Sequence, residues 1–404
     1  MASTLSWLDY SDAERRAALD VIELFRDRDT RDELGLGALR DGFADHFFPG
    51  TSTIQTRVAY FLLIPWLYER LERQHTGKPN VAERGRRAEL DLIEALLDDD
   101  DRDGVGVIGA RARRSLKRLP SDVYWQGLGV WGIRVYPGGR EQYLRRLARL
   151  RSEQRVEVDD DGEPLADAAA AQHWHRGLPD PPATFPDEAS LRLRPEDRAY
   201  LVERILLERP RGTLLAWLVE HAGVSDVEFP WEHPEHARFP SKSRHELAHA
   251  RMLSAVVHGA ALLYNLLLAR RRAWPEKIEE FEQRLGDWAR TLHQDAGGDP
   301  RSWDLVDFWR AVERTTAAVT LPTRAFVESW TRLVVEERDL GGSDAARDLI
   351  ERRERQVKGP AGARLHNETA LLLWGGDAGT ARMSYRWPVT QRFVNDLVAT
   401  DARP

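Results

Sequence analysis

A chain of 404 residues is too long for one small core, and two or three subdomains sharing interfaces are expected. Its formal net charge of -7 excludes a surface that grips nucleic acid everywhere, while leaving room for a local basic patch. The absence of cysteine excludes disulfides, thiol nucleophiles and thiolate metal sites, so a metal could be held only by His, Asp or Glu. The start, MASTLSWLDYSDAERR, has no basic stretch followed by an apolar one, so no secretory signal is read and the cytoplasm is the expected compartment.

Ser11 and Glu14 have capping-box spacing and open a helix that is expected to run to about Arg28. Ser52 and Gln55 repeat that spacing, so a second helix should start there, with Val58 to Tyr68 apolar on every face and Pro65 as a kink. Gly50 to Thr53 could cradle an anion at that helix start, although capping is the commoner use. The acidic run Asp98 to Asp103 then interrupts the pattern.

The basic segment RARRSLKR (Arg111, Arg113, Arg114, Lys117, Arg118) reads as a short helix. VYWQGLGVWGIRVYPGG follows, with aromatic and β-branched residues between glycines, and is the best β-hairpin candidate in the chain. Together they have the outline of a helix followed by a wing. The positive charges would neutralise phosphates, and Tyr124, Trp125 and Trp131 would offer faces for bases. The competing reading is a solvated helix face beside a packed hairpin.

Composition shifts to Asp, Pro, Gly and Ala between Val156 and Pro195, which marks a linker or a surface excursion. Residues 1–155 are therefore expected to form an N-terminal helical subdomain and 196–404 a C-terminal one. Helical patterns in the latter cover Glu196 to Glu208, Leu214 to His221, Arg244 to Arg272, Glu276 to His293, Trp303 to Ala317, Thr323 to Arg338 and Ala345 to Val357. The expected fold class is mainly α, multi-subdomain, with one small β-hairpin or winged-helix-like element.

Residues 244–249 read RHELAH. His245, Glu246 and His249 form H-E-x-x-H, in which one helical turn puts two imidazoles on one face for zinc, with a Glu as general base. Three features weigh against zinc. Ser243 and Glu246 have capping-box spacing, His258 lies about 220° around the helix from His245, and the metzincin continuation falls on Met252 and Ala255. No third ligand is evident in the sequence. Arg244, His245 and His249 also resemble the arginine, polar residue, histidine signature of HEPN ribonucleases, which need no metal. Arg40 to His46 and Arg70 to His75 fit that loose spacing too. The preferred expectation is no metal and no cofactor.

Met252 to Ala269 carries no formal charge and reaches the length at which a membrane span must be considered. Ser254, His258 and Asn265 form a polar stripe, with Gly259 and Ala260 allowing close packing, so a buried core helix is expected and no membrane partner. A second basic cluster comprises Arg352, Arg353, Arg355, Lys358 and Arg364. No phosphate loop, dinucleotide fingerprint or nucleophile elbow is present.

The segments SWLDYSDAERRAALDVI, RDELGLG, FPGTSTIQTR, VYWQGLGVWGI, VVHGAALLYNLLLA and the near-terminal YRW resemble, over essentially the full chain, an uncharacterised bacterial family known only as a domain of unknown function. The resemblance implies a setting beside helicases and phospholipase-D-like nucleases in phage-defence loci, and it carries no catalytic residues. The expected role is a non-catalytic, nucleic-acid-associated (DNA or RNA) or partner-binding component of an antiviral system, with a helicase or nuclease as protein partner. The alternative is a hydrolase centred on Arg244 to His249.

Overall fold

The computed structural model describes residues 32–73, 80–98, 105–153 and 173–399. Among them are fourteen α-helices: α1 Gly37–Phe47, α2 Tyr60–Arg73, α3 Val81–Asp98, α4 Pro120–Val130, α5 Arg140–Glu153, α6 Pro195–Leu207, α7 Leu214–His221, α8 Ser241–Arg271, α9 Pro275–Ala296, α10 Leu305–Glu313, α11 Leu321–Glu336, α12 Asp344–Gly362, α13 Glu368–Leu372 and α14 Trp387–Val398. The helix expected from Ser11 lies outside the described residues, as do most of the acidic run and residues 156–172 of the expected linker.

Among the described residues no β-strand forms, and the only pairing is an isolated antiparallel bridge between Arg134 and Trp174. The first half of the expected hairpin, Val123 to Val130, lies in helix α4 instead. Pro120 stands in its first turn, and Asp122 Oδ2 accepts the Leu119 amide at 3.0 Å, which satisfies an orphan donor of the helix start. The segment before it is a 3-10 turn, Arg113–Ser115, and not an α-helix. Ser52 and Gln55 do bond, with the Ser52 amide donating to Gln55 Oε1 at 2.8 Å, but they close a turn and α2 begins only at Tyr60. The anion cradle expected at Gly50 to Thr53 therefore has no helix N-terminus behind it.

The chain divides into two compact units, each made of separate stretches: Met1–Phe43 with His245–Met383, and Ala44–Arg244 with Ser384–Pro404. These limits differ from the boundaries expected at 155 and 195. In the second unit every residue from Tyr60 to Tyr68 is buried. Phe61 stacks on Trp131 with centroids 3.9 Å apart, and the Trp131 indole donates to Pro49 O. Gly50, at φ +86°, lies so close to this indole that a Cβ would collide with it. Residues 173–194 pack on α2: Trp66 donates to Pro179 O, and Trp174, Phe185 and Leu191 are buried. Helix α14 is held by Arg57, whose guanidinium meets both oxygens of Asp396 at 2.8 and 2.5 Å.

The other unit is organised on α8. Met252 to Ala269 is almost wholly buried, and the most apolar 18-residue window of the helix is 89% buried, as in a core helix. Trp288 and Trp330 donate to the carbonyls of Ala255 and Val256, and Gly259 lets Trp288 lie against the helix backbone. Asn265 uses its full amide. Its Nδ2 donates to Ala261 O and Ala378 O, and its Oδ1 accepts from Trp374 Nε1 and Ala378 N. Ser254 donates to Met383 O. The polar stripe read from the sequence is therefore a set of satisfied core groups.

Candidate functional site

His245 and His249 lie one turn apart on α8 and meet Asp307 in the first turn of α10. Asp304 caps α10 by accepting the Val306 and Asp307 amides, which fixes where the Asp307 side chain starts. Asp307 Oδ2 lies 2.7 Å from His245 Nε2 and 3.1 Å from His249 Nε2. His245 is 52% exposed and His249 only 9%. The Trp303 indole donates to His249 Nδ1 at 3.1 Å. An indole can only donate, so Nδ1 accepts, and the single proton of a neutral His249 sits on Nε2, where it reaches Asp307. Burial holds the His249 imidazole below its ordinary range, against the opposing pull of Asp307, while the His249 hydrogen bond holds the Asp307 carboxyl low.

Among the described residues, these three side chains are the one His, Asp or Glu group whose ligand atoms could surround an ion, all lying within 4.8 Å of one another. The acidic partner of the histidine pair that the sequence did not reveal is Asp307. Glu246 is not placed as a base beside them. It is 2% exposed and accepts from Arg314 Nε at 2.8 Å. Nor is it a cap, because α8 begins at Ser241 and Ser243 already lies inside the helix. For the ribonuclease pattern, Arg244 is exposed but His249 is buried with both ring nitrogens engaged, so it is not open to a ribose hydroxyl. Of the looser matches, Arg40 is held by its neighbour Asp41, and His75 lies outside the described residues.

Arg111, Arg113, Arg114, Lys117 and Arg118 are all exposed. The turn carrying them is fastened to α3, where Arg86 donates to Leu116 O and Arg113 and Arg114 meet Glu94 and Asp91. The aromatic half of the expected interface is corrected by burial. The Tyr124 hydroxyl accepts the Thr56 and Arg57 amides and donates to Arg57 O, Trp125 donates to Gly138 O, and Trp131 lies under Phe61. These rings are core, and their faces are not offered to bases.

The second basic cluster is also largely structural. Arg353 donates to Leu34 O, Gly35 O and Thr323 Oγ1, while Lys358 and Arg364 neutralise Glu33, and Lys358 also pairs with Glu354. A cavity of about 270 Å³ beside α2 is lined by Leu62, Leu63, Trp66 and Phe185, and of its two guanidiniums, Arg192 and Arg194, the latter is bound by Asp197.

Comparison with curated proteins finds no match, and neither does comparison with solved structures. One family profile, that of a family of unknown function, matches residues 2–402. With the match spanning nearly the whole chain, the protein belongs to the family of unknown function DUF6361.

Proposed function

We propose that this protein is a nucleic-acid-binding component, without a reaction of its own, of a bacterial antiviral system in the cytoplasm. The carrying observation is the turn 111–118, where five basic side chains stand exposed on a segment hydrogen-bonded to α3. Its ion pairs with Glu94 and Asp91 are surface pairs, worth about 0–1 kcal/mol each, so phosphates could replace them at little cost. The net charge of -7 confines such binding to a patch. The engagement of Glu246 by Arg314 supports the non-catalytic part of this reading. The antiviral setting and a helicase or nuclease partner rest on the family resemblance.

The test is fluorescence anisotropy of labelled duplex DNA and single-stranded RNA across a salt series. Reversing Arg113, Arg114 and Lys117 to Glu should weaken binding and reduce the slope of log K against log salt by about one for each phosphate no longer neutralised. No binding by the unmodified protein at low salt, or an unchanged slope in the triple variant, rejects the proposal.

A further inference from the structure

Two imidazole Nε2 atoms aimed at one carboxylate oxygen have the geometry of a metal site with protons in place of the ion. The separations of 2.7 and 3.1 Å from Asp307 Oδ2 to His245 and His249, with all three ligand atoms within 4.8 Å of one another, need only small side-chain shifts to reach the roughly 3.3 Å expected between ligands in a tetrahedral site with bonds of about 2.0–2.1 Å. The donors come from positions that fix them. The two histidines are one helical turn apart on α8, and Asp307 is set by the capped first turn of α10. Two nitrogens and one oxygen suit borderline cations and not calcium or magnesium, which prefer oxygen throughout.

We infer that His245, His249 and Asp307 form a binding site for a divalent transition metal of the zinc, cobalt or nickel class, which clips α10 onto α8. Three protein ligands leave a coordination position on the side of exposed His245. The site lacks the general base that H-E-x-x-H supplies in hydrolases, because Glu246 is buried against Arg314. It is therefore a structural or ligand-holding centre, independent of the basic turn.

Trp303 makes the inference sharper. When a cation takes the Nε2 lone pair of His249, the ring's remaining proton must sit on Nδ1, where the Trp303 indole now donates. Binding therefore replaces that hydrogen bond, and the indole competes with the metal. Removing the competing donor should tighten binding by about five-fold, the equivalent of one ordinary hydrogen bond.

The experiment uses the full chain, free of any histidine tag and stripped with chelator, titrated with cobalt(II) and followed by its visible ligand-field bands. One equivalent should bind. His245→Ala, His249→Ala and Asp307→Asn should each weaken binding by more than about ten-fold, while Trp303→Phe strengthens it. Zinc(II) should raise the melting temperature of the unmodified protein and leave that of Asp307→Asn unchanged, a readout that does not depend on cobalt spectroscopy. Absence of a one-equivalent site overturns the inference. So does binding by Asp307→Asn equal to that of the unmodified protein, because an exposed histidine pair alone would then be the chelator.

Discussion

Arg314 Nε donates to Glu246 Oε1 at 2.8 Å, joining the end of α10 to the first turns of α8. The two partners are unequal, since Glu246 is 2% exposed and Arg314 39%. Losing the arginine removes a charge partner of a buried carboxylate, whereas neutralising the glutamate leaves an arginine that water can reach. Arg314→Ala should therefore cost about 2–4 kcal/mol in urea denaturation, and Glu246→Gln about 1 kcal/mol. Equal costs, or a larger cost for Glu246→Gln, would contradict this assignment.

His258 makes folding sensitive to acid. Burial, with Arg382 and Arg284 nearby and Asp295 and a backbone bond at Thr380 opposing them, lowers its imidazole from 6.5 to about 4. The unfolded chain takes up this proton near 6.5 and the folded chain only near 4, so the unfolded state binds more protons between these values. Stability contributed by neutral His258 is present above 6.5 and falls as pH drops towards 4, by an amount on the order of 3 kcal/mol. Chemical denaturation at pH 7 and at pH 4.5 should show this loss, and His258→Gln should flatten part of it. An unchanged pH profile in the variant would place the acid sensitivity elsewhere.

Helices whose signals are local are readable from the chain. Leu214 to His221 is expected and observed as α7, because Thr213 caps it and an apolar run from Leu214 to Val219 follows the cap. The segment 123–139 reads as a hairpin, because aromatic and β-branched residues between glycines look like strands, yet its first half, to Val130, folds as a helix. Pro120 and Asp122 point to a helix start, and Tyr124, Trp125 and Leu128 lie buried along that helix. Asp307 is not legible as a ligand: it is 58 residues from His249, and its local pattern is that of any acid in a first helical turn. Burial of Tyr124 and Trp125 is equally illegible, since a ring that packs and a ring that stacks on bases are the same residue type.

Asn265 completes four hydrogen bonds within the core of its unit. Replacing it by Leu keeps the volume but leaves the Ala378 amide and carbonyl and the Trp374 indole without their partner. Each buried group so abandoned costs about 1–3 kcal/mol, so a total loss of at least about 3 kcal/mol is expected. Thermal melting of Asn265→Leu measures it. A neutral substitution would mean that the segment around Ala378 finds other partners.

Tyr124 separates the structural from the recognition role of the segment that follows the basic turn. Its hydroxyl takes the Thr56 amide at 2.9 Å and the Arg57 amide at 3.1 Å, and returns its own hydrogen to Arg57 O. Tyr124→Phe removes only that oxygen and leaves two amides short of an acceptor, which should cost about 2–4 kcal/mol of stability. Because the ring is fully buried, nucleic-acid affinity measured on the folded fraction should not change. The Glu substitutions at Arg113, Arg114 and Lys117 should do the opposite, weakening binding while altering stability by no more than about 2 kcal/mol, as expected when two surface pairs are lost. A Tyr124→Phe protein that melts normally but loses nucleic acid would reverse these roles and put the aromatic ring back at the interface.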